Sequence, residues 1–312
     1  MGLTRFPHGV SSFGVPQIGS GSIPVTSGNY WWVSSVTGND GNTGKVPTSA
    51  FATLTVALSN CTAANGDVII LLPGHAETVK AAAGINVNIS GVTILGLGTG
   101  SLRPTITVGT ATSATVQISA ANITIKNVLF VANLASIVTC LSLTTANDFQ
   151  LLGCEFRDGS TILNFINILK TGATANTCDG LTIVGNKVYS LAAGYLQFVL
   201  LAVASDRFSY CNNDVATLST STVGSNVNIA TFNITNAIVA GNTYANGGGA
   251  DISTGIMVVG AGAASNGTIC DNRIGGIITT PLLCATTLTM AKNQNYSQKT
   301  TVSNGILNPA GA

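Results

Sequence analysis

Eleven carboxylates are all the acid chemistry this 312-residue chain can draw on, beside twelve Lys and Arg, two His and seven Cys. Asp179 and Asp206 are the pair best spaced for bond breaking. Each stands two residues before a repeated eight-residue motif, so stacked copies would set them about 5 Å apart, a separation compatible with two carboxyl groups at a glycosidic bond. Asp148 is one place away in the copy before. At turns, however, Asp caps its own backbone, and no His or aromatic platform adjoins either residue. The expectation is therefore a chain that is not an enzyme, with Asp179 and Asp206 as the catalytic pair if it were one.

Other constellations are thinner still. Glu155, Lys187 and Asp214 hold the seventh place of three motif copies. Their alternating signs read as an exposed salt-bridge ladder, each pair worth less than about 1 kcal/mol, with Arg157 and Asp158 on the same surface. His75 and Glu77 are too few for a metal centre; a turn with a side chain bonded to backbone suits them better. GLGTGS (96–101) has phosphate-loop glycines but lacks the Lys and the following helix. The cysteines (61, 140, 154, 178, 211, 270, 284) are odd in number and contain no CxxC, which reads as small buried hydrophobes in a reducing compartment. No cofactor and no metal is expected.

What must position these groups is a repeat. Phe149-Gln-Leu151-Leu-Gly-Cys154-Glu-Phe156 has apolar residues at places one, three and eight. Ile123–Phe130, Leu181–Val188 and Phe208–Val215 share the frame, as do the weaker copies 237–244, 267–274 and 288–295 and the earlier run from Val92. Third places fall at 94, 125, 151, 183, 210, 239, 269 and 290, at intervals of 21 (269 to 290) to 32 residues (151 to 183). Irregular spacing with a fixed alternating core predicts an all-β parallel β-helix whose insertions fall in turns. A second strand precedes each motif, at Thr115–Ile118, Val138–Leu143, Phe165–Leu169, Phe198–Val203, Ile229–Ile234, Gly255–Val259 and Leu282–Ala285. About 8–9 coils at ~4.8 Å each make a rod about 40 Å long. The sixth place is Asn186, Asn213, Asn242, Asn272 and Asn293 in five successive copies, a structural ladder of stacked amides that also tolerates left-handed backbone angles.

The first third differs. Residues 1–29 hold three of the eight prolines and no periodicity, an extended arm ordered only against a partner. Residues 30–66 read as a strand with both tryptophans, a turn-rich loop, and a short capping helix that buries Phe51, Leu54, Ala57 and Leu58, with Ser49 as its cap. The β-helix spans 67–296, opening on the buried strand after Asp67, and 297–312 is a tail.

Charge is scarce: 7% of residues, net +1, with 46% hydrophobic and mean hydropathy +0.45. That argues against a basic nucleic-acid surface and against disorder. The densest apolar run, Leu191–Ala204, is 14 residues, short of the ~20 a spanning helix needs. The first residues carry no apolar signal core.

Tyr30–Val33, Gly38-Asn-Asp40, Phe51-Ala-Thr53, Ala57-Leu58, Gly66-Asp-Val-Ile69 and Pro73-Gly74 resemble the opening of the pectate-lyase-like superfamily of right-handed β-helices. More narrowly, LLPGHAETV (71–79), GVTILGLGTGSLRPTI (91–106) and NITIKNVLF (122–130) resemble β-helix proteins of tailed bacteriophages, and RFPHGVSSFGVP (5–16) an arm of phage virion proteins. The resemblance implies a right-handed, homotrimeric β-helix on the phage particle, made in the host cytoplasm. It is expected to be a capsid decoration or head-fibre protein whose partner is the major capsid protein or another virion protein. Arg5, Phe6, Pro7, Phe13 and Pro16 would anchor the arm, and Trp31 and Trp32 would pack where it meets the cap. The alternative is a tailspike or fibre that binds, or also cleaves, host surface polysaccharide. No nucleic-acid or membrane partner is expected.

Overall fold

The computed structural model describes residues 23–192 and 196–218 without a break, residues 220–297 with gaps, and strands at 10–12, 15–17 and 305–307. The chain is an all-β parallel solenoid whose strands stack into three long sheets of ten, ten and eight strands. Sheet 1 starts at Tyr30–Val33 and Val68–Leu71 and runs to Thr289–Ala291. Sheet 2 runs from Ala76–Val79 to Asn293–Ser297, closed by Gly305–Leu307. Sheet 3 runs from Ile85–Val87 to Leu282–Cys284.

The third-place residues meet in register. Ile94 pairs with Ile125, then Leu151, Ile183, Tyr210, Val239, Ile269 and Met290. All but Met290 are buried. A one-residue slip would turn the whole apolar row to solvent, so the register is strongly specified. The eight-residue motif is not one strand but two. Its first half lies in sheet 1 (Gln150–Leu152) and its second in sheet 2 (Glu155–Asp158), with a bend between.

The bend corrects the expected backbone role of the ladder asparagines. The left-handed angle falls on the fifth place: Asn127 (φ 55°), Gly153 (58°), Gly185 (68°), Asn212 (55°), Gly241 (66°), Asp271 (55°) and Lys292 (53°). Gly and Asn dominate because they accept that angle most readily. The sixth-place Asn then turns inward. Asn213 is representative: its Oδ1 accepts from the Asn186 N–H and Nδ2, both at 3.0 Å, and its Nδ2 donates to Ile183 O and Asn242 Oδ1. The pattern runs unbroken through Asn242, Asn272 and Asn293, all at most 1% exposed. The bend's buried polar groups are thereby satisfied, as buried polar groups must be.

Phenylalanines fill the middle coils. Phe130 stacks on Phe156 at 5.0 Å, and Phe198 bridges Phe156 to Tyr210. The seven cysteines are free; Cys140, Cys154 and Cys178 are buried, and burial pushes the Cys154 thiol up to about 12. Cys211 and Cys270 are only half-buried, because the fourth motif place faces out of sheet 1.

Tyr30–Val33 pairs with Val68–Leu71 as the first strand of sheet 1 and shares its core, so the cap and the solenoid are one packed body. The helix is Leu54–Ser59, capped by Thr53 rather than Ser49. Phe51 bridges to Val33 in extended backbone, which delays the helix. Leu54, Ala57 and Leu58 close the apolar end of the rod. Asp67 ties this end together, accepting from Asn29 N–H, Thr62 N–H and the Asn65 amide. Among the described residues no helix is long and apolar enough to cross a membrane.

Candidate functional site

Asp179 and Asp206 do meet, but as links in a turn ladder. Asn147 Oδ1 accepts the Asp179 N–H, and Asp179 Oδ1 accepts the Asp206 N–H, each at 2.9 Å. Asp206 Oδ1 in turn accepts from Thr235 and Asn236. These hydrogen bonds hold the half-exposed Asp206 carboxyl below the usual carboxylate range. Arg207 reaches back to Asp148 at 3.0 Å. Each carboxylate is thus occupied by turn donors, an arrangement that suits capping better than proton transfer.

The outward face of sheet 2 is different. Seventh and ninth motif places both point to solvent, and strand stacking turns them into two parallel rows. One row runs Glu155, Lys187, Asp214, Thr243, Arg273, Gln294. The other runs Arg157, Tyr189, Ala216, Ala245, Gly275, Tyr296. Two shallow clefts lie on this face, of about 560 Å³ around Glu155, Lys187, Tyr189 and Asp214, and about 340 Å³ around Ala245, Arg273, Gly275 and Tyr296. Asp214 and Ala216 of the first cleft pair directly with Thr243 and Ala245 of the second, so the two clefts adjoin along the rod. Tyr189 and Tyr296 are 51% and 55% exposed, four strands or about 19 Å apart, and between them the floor is only Ala and Gly.

The expected salt-bridge ladder does not close. Glu155 is claimed from the side by Arg103, 2.6 Å away, and from its own strand by Arg157. Among the described residues Lys187, Asp214 and Arg273 form no ion pair. Two guanidiniums, from Arg103 and Arg157, already occupy both oxygens of the Glu155 carboxylate and so compete with Lys187 for it. Asp158 also departs from expectation. It turns inward, and its Oδ2 accepts from Ser190 Oγ (2.6 Å) and from the Leu191 and Ala192 N–H groups (3.0 Å each). Burial raises its pKa despite these donors.

His75 and Glu77 belong to the cap. His75 Nδ1 accepts the Ser35 N–H at 3.0 Å, and Glu77 accepts the Leu54 N–H at 2.9 Å, joining strand, turn and helix. Among the described residues no group of three His, Cys, Asp or Glu is placed to hold a metal ion. Trp31 and Trp32 take opposite sides of their strand. Trp31 is buried on Phe51 with Lys45 over its ring. Trp32 joins Ile23, Tyr30 and Leu97 around Val68, Ile70 and Leu95. Arg5, Phe6, Pro7 and Phe13 lie outside the described residues. Pro16 sits in a short strand, Val15–Gln17, paired antiparallel with Val10–Ser12.

Tyr189, Tyr296, Arg103 and Arg273 are the site residues that reading the sequence missed. The ninth-place row was available from the repeat frame; Arg103 was not, because it arrives from a short turn 52 residues before Glu155.

No protein-family model and no curated protein matches the chain. Solved structures do. A GH136 lacto-N-biosidase from Eubacterium ramulus aligns at 10% identity over 86% of this chain and 68% of its own, with a TM-score of 0.47. A rhamnogalacturonan lyase aligns at 14% identity over 91% of this chain and 66% of its own, with a TM-score of 0.44. The likeness is one of fold, and neither of these two proteins is named as a phage protein. Both matched proteins are enzymes by name, and with them the expectation that this chain is not an enzyme is overturned.

Proposed function

We propose that the outer face of sheet 2 binds an extended polysaccharide lying along the rod, across the strands. The observation that carries this reading is the pair of exposed tyrosines at the ends of a floor of small residues. A sugar ring has an apolar C–H face and a polar rim. A half-exposed Tyr offers it a flat apolar surface and a hydroxyl, while Ala216, Ala245 and Gly275 let the chain approach the sheet closely. Charged residues along the neighbouring row supply partners for the rim hydroxyls.

The same row sets Glu155 and Asp214 two strands apart, about 9–10 Å, close to the separation at which two carboxyl groups admit a water between them. Release of reducing ends, lost in Asp214→Asn, extends the reading from binding to cleavage.

The test is a glycan array followed by titration calorimetry with purified protein. Tyr189→Ala and Tyr296→Ala should each weaken binding at least fivefold, the loss usual for an aromatic anchor, with an unchanged circular dichroism spectrum. Binding that is indifferent to both variants overturns the proposal.

A further inference from the structure

Four of the chain's twelve basic residues, Arg103, Arg157, Lys187 and Arg273, stand on or beside this one groove. Among the described residues the groove sets Glu155 and Asp214 against them, since Asp158 is turned inward onto Ser190. Glu155 is already matched by two arginines. Lys187 and Arg273 have no ion-pair partner among the described residues, and they occupy one row three strands apart, about 14 Å. Asp214 lies between them, directly beside Lys187 in the ladder.

That order of signs is selective. Two unpaired cations favour an anionic ligand, and the opposite charge of Asp214 penalises a ligand that is negative at every point along the row. From this charge order, and resting on the polysaccharide-binding reading above, we infer that the groove selects a heteropolysaccharide whose carboxylate sugars are set apart by neutral ones. Lys187 and Arg273 are its specificity-determining cations, and Asp214 rejects polymers charged on every sugar. Tyr189, two residues from Lys187, and Tyr296, beside Gly275 in the next strand from Arg273, then stack neutral or charged rings next to each captured carboxylate.

Three polymers decide it, titrated against the full chain at low salt: hyaluronan, with a carboxylate on alternate sugars, alginate, with one on every sugar, and neutral dextran. The expected order is hyaluronan tightest, then alginate, then dextran. Lys187→Gln and Arg273→Gln should each weaken hyaluronan about two- to fivefold, the range of a surface ion pair, and weaken dextran by a smaller factor. Asp214→Asn should strengthen alginate by a similar factor. Added salt should erode hyaluronan binding as the Debye length shortens from about 30 Å at 0.01 M to about 3 Å at 1 M. Dextran bound as tightly as hyaluronan, or alginate bound more tightly, overturns the selectivity while leaving polysaccharide binding in place. Failure of all three polymers overturns both. Melting curves of the variants, whose substituted side chains face outward, establish that each is folded.

Discussion

Replacing Asn213 by Ala should cost more stability than any exposed substitution in the chain. Asn213 is 1% exposed and its side chain makes four hydrogen bonds, two accepted from Asn186 and one donated to each of Ile183 O and Asn242 Oδ1. After truncation the Asn186 N–H loses its acceptor and Ile183 O loses an amide donor, in a bend closed to water. Buried polar groups left unmatched cost about 1–3 kcal/mol each, so two give about 2–6 kcal/mol, before any cavity term. Asn147→Ala is the control. Its side chain also caps a neighbouring coil, accepting from Asp179 N–H and donating to Asn176 O, but in a turn open to solvent, and should cost about 1 kcal/mol or less. Urea unfolding followed at 218 nm compares the two, the midpoint shift multiplied by the common slope giving the difference. If Asn213→Ala unfolds within about 1 kcal/mol of the parent, the ladder is not what stabilises the bend. The assignment of the sixth-place row as a stability device then falls.

Further outcomes follow from the same geometry. Gly96→Ala should be strongly destabilising, because a Cβ there would sit 2.2 Å from the Asn127 carbonyl oxygen, whereas Gly185→Asn should shift the melting temperature little. Gly185 has open space around it at φ 68°, and Asn127 and Asn212 already occupy the equivalent place; the left-handed strain is about 1 kcal/mol. Acid should loosen the capped end through Asp67. Burial acts to raise its pKa, but hydrogen bonds from Asn29, Thr62 and Asn65 outweigh it and hold it below the usual carboxylate value. A depressed folded pKa contributes stability above the unfolded value and loses it as pH falls through the folded one. Asp67→Asn should therefore be less stable at pH 7 and show a flatter loss below about pH 4, measured by thermal melts across that range.

The repeat made the solenoid legible before any coordinates. The third-place residues from Ile94 to Met290 pair in the register read from their spacing, since a buried alternating row admits one alignment. The ladder from Asn186 to Asn293 was legible for a related reason: one residue type at one place of successive coils must stack on itself. Glu155, Lys187 and Asp214 were correctly set in one row, yet their pairing was not, because Arg103 enters from a turn outside the motif.

Sequence alone therefore determined what recurs: the strand places, the inward rows and the amide ladder, all local pattern repeated along one axis. Tertiary structure alone decided what converges. Tyr189 and Tyr296 are 107 positions apart in the chain (296 − 189) and share one face only because three strands stack between them. The carboxylates at 179 and 206, adjacent by spacing, were settled as a turn ladder by the backbone N–H groups that reach them. Which side chain a charge meets depends on distances across coils, and those come from the stacking of the rod.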